Sequence, residues 1–90
     1  MNKAIITVVG QDTVGIIARV CTYLSERKIN VLDISQTIID GFFNMMMIVD
    51  VTEADEEFGT IVDELDQLGE QIGVRIRCQR EEIFTKMHRI

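Results

Sequence analysis

Tryptophan is absent, and four phenylalanines and one tyrosine are the only aromatic residues, so the core must be built from Ile, Val, Leu and Met. Only two cysteines are present, Cys21 and Cys78. They lie far apart among apolar neighbours and outside any C-x-x-C pair, which leaves a metal or redox site unsupported. In a reducing cytosol they read as small buried residues. A single histidine, His88, stands near the C-terminus, so His-based acid–base catalysis would rest on a tail position. No apolar run approaches the roughly 20 residues that span a bilayer. The opening Met1-Asn2-Lys3 lacks the apolar segment of a secretory signal, and the expected location is the cytoplasm. Basic residues are missing from residues 29–73, where most of the acids fall, whereas residues 74–90 carry five Lys/Arg and His88. The net charge of −6 argues against nucleic acid as a partner, because that affinity comes mainly from neutralising phosphates.

What is present suffices for one domain with one modest core: 90 residues, 47% hydrophobic and 27% charged. Residues 4–9 form a β-branched apolar run that ends at Gly10, the pattern of a central strand. Over residues 14–28 the apolar positions Ile16, Ile17, Val20, Cys21 and Leu24 recur at helical spacing. Residues 30–39 alternate, with Leu32, Ile34 and Ile38 against Asp33, Ser35 and Thr37, which predicts a strand with one buried face. Asp40-Gly41 is a favoured pair for a two-residue type I′ hairpin turn. The returning strand, residues 42–51, places Phe43, Met45, Met47, Val49 and Val51 on one face. Its other face carries Phe42, Met46 and Ile48.

Thr52-Glu53-Ala54-Asp55 is expected to open a second helix with acids in its first turn, where the dipole favours them. Phe58, Ile61, Val62, Leu65 and Leu68 supply its buried stripe, with Gly69 and Gly73 bracketing its end. Val74, Ile76 and Cys78 alternate with Arg75, Arg77 and Gln79 in a fourth strand. In the tail, residues 81–90, Ile83, Phe84, Met87 and Ile90 fall near helical spacing, which suggests an amphipathic turn belonging to the same domain. The order strand–helix–strand, hairpin, strand–helix–strand predicts an α+β ferredoxin-like sandwich: a four-stranded antiparallel sheet, order 4-1-3-2, with both helices on one face. The opposite face would expose Ile5, Val9, Phe42, Met46 and Ile48. Such a patch points to a homodimer, by edge-to-edge sheet extension or by face packing.

Several chemistries are disfavoured. Acylphosphatases share this fold but place an arginine in the first loop, and none lies between Gln11 and Gly15. No Ser/His/Asp set, H-E-x-x-H or P-loop is present, and no cofactor motif, so the chain reads as non-enzymatic. Met45-Met46-Met47 cannot converge on a soft metal from a strand, because neighbours point to opposite faces; these residues read as core and interface filler.

The segment from Val8 to Ile17 is an apolar run, two glycines around a short polar stretch, then an amphipathic run. It reads as a strand bending into a helix, whose first amides could receive a carboxylate or phosphate. The plainer reading makes the glycines a tight turn and Asp12 a helix cap. A strand ending in Gly10, followed by Gln11-Asp12-x-x-Gly15-Ile16-Ile17-Ala18, resembles the first loop of ACT domains, small-molecule sensors of amino-acid metabolism. Lys28-Ile29-Asn30-Val31-Leu32-Asp33-Ile34 resembles the start of their second strand, and the likeness covers residues 4–80. It is nearest to single-domain members and to the modules of glycine-cleavage-system repressor proteins, as is the tail pattern Ile83-Phe84-x-x-Met87-His88-Arg89-Ile90. Relatives often carry Arg-Pro where this chain has Thr13-Val14, so a pre-set φ and a basic side chain are missing from the loop.

The resemblance implies an amino-acid ligand bound at a dimer interface. Gln11, Asp12, Thr13, Val14, Gly15 and Ile16 would come from one subunit, and Asn30, Val31 and Asp33 from its neighbour. Amides near Gly15 would hold the carboxylate, Asp12 or Asp33 the ammonium group, and Asn30 would donate and accept. The alternative is a ligand-free assembly module that docks a protein partner through its apolar sheet face. The 90 residues show no output domain, so any regulatory effect is expected to act through a protein partner.

Overall fold

The computed structural model describes residues 2–11 and 14–82. Its elements run β1 (Lys3–Gln11), α1 (Ile16–Glu26), β2 (Asn30–Ile39), β3 (Phe42–Asp50), α2 (Phe58–Ile72) and β4 (Val74–Arg80). The strands form one antiparallel sheet in the order β2-β3-β1-β4, the predicted sandwich order read from its other end. The four inward residues of β3, Phe43, Met45, Met47 and Val49, are buried, as are Ala4, Ile6 and Val8 of β1 and Val74, Ile76 and Cys78 of β4. Ile16, Val20 and Leu24 of α1 and Ile61 and Leu65 of α2 close over them. Each helix repeats apolar residues at intervals of three and four, so one stripe meets the sheet and the rest meets water. Asp40 and Gly41 have φ of 51° and 79°, the paired positive values that a type I′ turn requires.

Several boundaries differ from the sequence expectation. The segment 52–57 is a turn rather than the start of the second helix. Asp50 accepts the Thr52 amide at 2.9 Å and Val51 O accepts the Ala54 amide at 3.1 Å, bending the chain before α2 begins at Phe58. Acids are consequently absent from the first turn of α2. Gly73 ends α2 with φ 78°, but Gly69 lies inside the helix, where a Cβ would come within 2.6 Å of Val74 O. Its bareness lets α2 lie directly on β4. The C-terminal amphipathic turn, from Ile83 onward, lies outside the described residues.

The largest difference concerns β2. Alternation predicts one buried face, yet all ten residues are exposed. A bulge between Val31 and Asp33 takes Leu32 out of register. Ile34 and Ile38 pair with Met47 and Phe43 on the helix side but stay 44% and 59% exposed, because the helices do not reach over this edge. Within one chain, β2 has no buried face. On the open side of the sheet, Val9, Phe42 and Met46 are 48%, 52% and 40% exposed, whereas Ile48 is half-buried and Ile5 buried.

Candidate ligand site at the first loop and the edge strand

β1 runs out to Gln11, which pairs with Phe42, and α1 starts at Ile16. Between them Gly15 takes φ 92°, a left-handed conformation that side-chain-bearing residues avoid. Gly15 is the N-cap and offers no side chain to the helix amides. The first intrahelical bond is Arg19 N–H to Gly15 O, at 2.9 Å. No acceptor among the described residues meets the amides of Ile16, Ile17 or Ala18. Val14 is fully exposed beside them. Gln11 is exposed and Ile16 is buried, so of Ile16 only the backbone could face a ligand. Asp12 and Thr13 lie outside the described residues.

Asn30, Val31 and Asp33 sit at the opposite end of the sheet. Asn30 pairs with Asp50 and Val31 with Val49, whereas Gln11 pairs with Phe42 at the other end of β3. At about 3.3 Å per residue the two groups are about 25 Å apart along the strands. One chain therefore does not bring them together. Asp33 stands on the open side opposite Ile48, with its carboxylate accepting the Ile34 amide at 2.8 Å.

Charge is handled elsewhere, in a cluster that sequence reasoning missed. Tyr23 Oη donates to Glu64 Oε1 at 2.7 Å, and Arg27 Nε meets Glu64 Oε1 and Glu56 Oε1, each at 3.1 Å. The guanidinium also stands 5.2 Å from the Tyr23 ring centroid. The signal available in the sequence was the i,i+4 spacing of Tyr23 and Arg27; their partner on α2 required the fold. Hydrogen bonds from Arg27 and Tyr23 hold the Glu64 carboxyl down at about 2. Cys78 is buried, and that burial pushes its thiol up to about 11, an inert structural position. Among the described residues no group of three His, Cys, Asp or Glu could hold a metal, and no helix is long and apolar enough to cross a membrane.

An antiparallel four-stranded sheet with two helices on one face and a glycine bend after its first strand defines a small ferredoxin-like domain. Residues 2–79 match the family model of the ACT domain, and the chain belongs to that family. It is 80% identical over 90 residues, the whole of both chains, to a UPF0237 protein of Bifidobacterium longum. Among solved structures it resembles an ACT domain protein from Streptococcus pneumoniae, with TM-score 0.82 and 40% identity, covering 92% of this chain and 93% of that one. A putative glycine cleavage system transcriptional repressor shares the fold, with TM-score 0.75 and 21% identity, over 88% of this chain and 45% of its own.

Proposed function

We propose that the chain is a non-catalytic regulatory module that binds a small carboxylate, an amino acid, at the interface of a homodimer paired through β2. The exposure of β2 carries this reading: ten residues form an edge with Val31, Leu32, Ile34, Ile38 and Ile39 uncovered. Edge strands of monomeric proteins are usually blunted by charge. The outer strand β4 follows that rule with Arg75 and Arg77, whereas Asp33 is the one charged residue of β2.

Antiparallel pairing of two β2 strands about a two-fold axis sets the start of one beside the end of the other. Asn30 and Val31 of a second copy, with Asp33 beyond its bulge, then approach the end of the sheet that bears Gln11 and Gly15. The separation along the strands within one chain would thereby fall to about three strand spacings, roughly 14 Å, across two. The amides at Ile16–Ala18, which meet no acceptor among the described residues, would receive the carboxylate, with Asp12 or Asp33 for the ammonium group. Family membership supports a sensing role.

Thermal denaturation across the twenty amino acids at millimolar concentration tests the reading. A ligand that binds only the folded form raises the melting temperature, by an amount set by its concentration relative to Kd. Gly15→Ala should abolish the rise. A concentration-independent dimer with no shift for any amino acid would instead favour the ligand-free assembly module.

A further inference from the structure

Glu56 sits on the segment between β3 and α2, wedged against the C-terminal turn of α1 and the first turns of α2. Among the described residues, its environment is short of positive charge. Arg27 is shared between Glu56 and Glu64, so two carboxylates face one guanidinium. Glu64 takes most of the donors: Tyr23 Oη, Arg27 Nε and Arg27 Nη2. Glu56 is left with the ion pair on Oε1, while its Oε2 is buried and meets no donor among the described residues. A buried oxygen without a donor is costly, and two adjacent carboxylates repel. One proton on Glu56 answers both problems. It supplies a donor toward Glu64, whose Oε1 stands, like that of Glu56, 3.1 Å from Arg27 Nε, and brings the cluster to neutrality.

The other charged groups nearby do not substitute for that proton. Lys28 is engaged by Asp55 at 3.5 Å. Asp55, next to Glu56 in sequence, adds negative charge. Arg80 of β4, which lines a cavity of about 170 Å³ together with Glu56, lies 4.4 Å from the Phe58 ring centroid. Tyr23 holds its proton firmly because burial and the Glu64 carboxylate oppose its ionisation.

We infer that Glu56 is a proton-operated latch on the 52–57 segment, closed when the carboxyl is protonated and bonded to Glu64, and loosened when it ionises. The same segment grips the root of the edge strand. The Asp55 amide donates to Arg27 O at 3.4 Å, and the Asp55 carboxylate holds Lys28, which turns the chain into β2 with φ 59°. Opening the latch therefore loosens the turn from which β2 departs. This inference does not rest on the ligand reading.

Burial, then the Glu64 carboxylate, raise the Glu56 carboxyl above its ordinary 4.5. A raised carboxyl contributes stability that is complete below its unfolded value and is lost as pH climbs through the folded value. Glu64, held low, acts in the opposite sense and loses its contribution as pH falls towards about 2.

Two measurements on the full chain test the latch. Carboxyl-carbon NMR titration of the wild type should show Glu56 titrating above 4.5, with the protection factor of the Asp55 amide, corrected for intrinsic base-catalysed exchange, falling across that transition. Urea unfolding from pH 4 to pH 8 should show the wild type losing stability as Glu56 ionises, tenfold in the unfolding constant for each unit of displacement. Glu56→Gln, a neutral isostere, should lack that decline and protect the Asp55 amide at pH 8. A Glu56 carbon titrating at or below 4.5 would overturn the inference even if the variant failed to fold. A Glu56→Gln profile parallel to the wild type would overturn it as well.

Discussion

Gly69→Ala offers the sharpest check on the packing, because propensity and tertiary structure predict opposite signs. In a free helix the change stabilises by about 1 kcal/mol. Here the new Cβ would stand 2.6 Å from Val74 O and 3.2 Å from Ile76 N, inside contact distance of a backbone rather than a movable side chain. β4 cannot easily retreat. It pairs with β1, and Val74 lies against Gly10, where a Cβ would come within 2.7 Å of Val74 Cγ1. Overpacking of this kind costs about 1–3 kcal/mol, enough to reverse the helical gain. We expect a net loss of about 1–2 kcal/mol. At roughly 4–8 °C per kcal/mol for a domain of this size, the melting temperature should fall by about 5–15 °C. Gly59→Ala is the matched control in the same helix: a Cβ there meets nothing within 4 Å, so a gain of about 0.4–1 kcal/mol is expected. Calorimetry on both variants at one protein concentration provides the comparison. A Gly69→Ala protein as stable as the wild type would refute the close approach of α2 to β4.

Ile34→Lys and Ile38→Lys place charges on an exposed edge, so each should change monomer stability by less than about 0.5 kcal/mol while converting the proposed dimer to monomer in light scattering. Gly15→Ala at φ 92° should cost about 1–2 kcal/mol in urea unfolding, from backbone strain alone. Leu65→Ala removes a fully buried side chain and should cost about 2–5 kcal/mol by the same assay. Arg27→Met should let the Glu64 carboxyl rise from about 2, so acid-induced loss of stability begins at a higher pH; circular dichroism during acid titration would follow it.

Local periodicity and turn chemistry determined the element order, the hairpin at Asp40-Gly41 and the inward stripe of β3, because each depends on residues a few positions apart. The same logic placed Met45 and Met47 inward and Met46 outward, as found. It failed where the deciding contact was distant. Gly69 reads as a helix terminator in sequence, but it lies inside α2 because the backbone of β4 packs against it. Thr52-Glu53-Ala54-Asp55 reads as a helix start, but Asp50 turns the chain there and Glu56 pairs with Arg27. Alternation in β2 correctly specified a strand, yet it could not specify what covers the inward side. That depends on how far the helices extend across the sheet, and they stop short of this edge. The first-loop glycine was legible as a bend, but the distance between Gln11 and Asn30 within one chain emerged only from strand register, which sets the two ends of an antiparallel sheet apart.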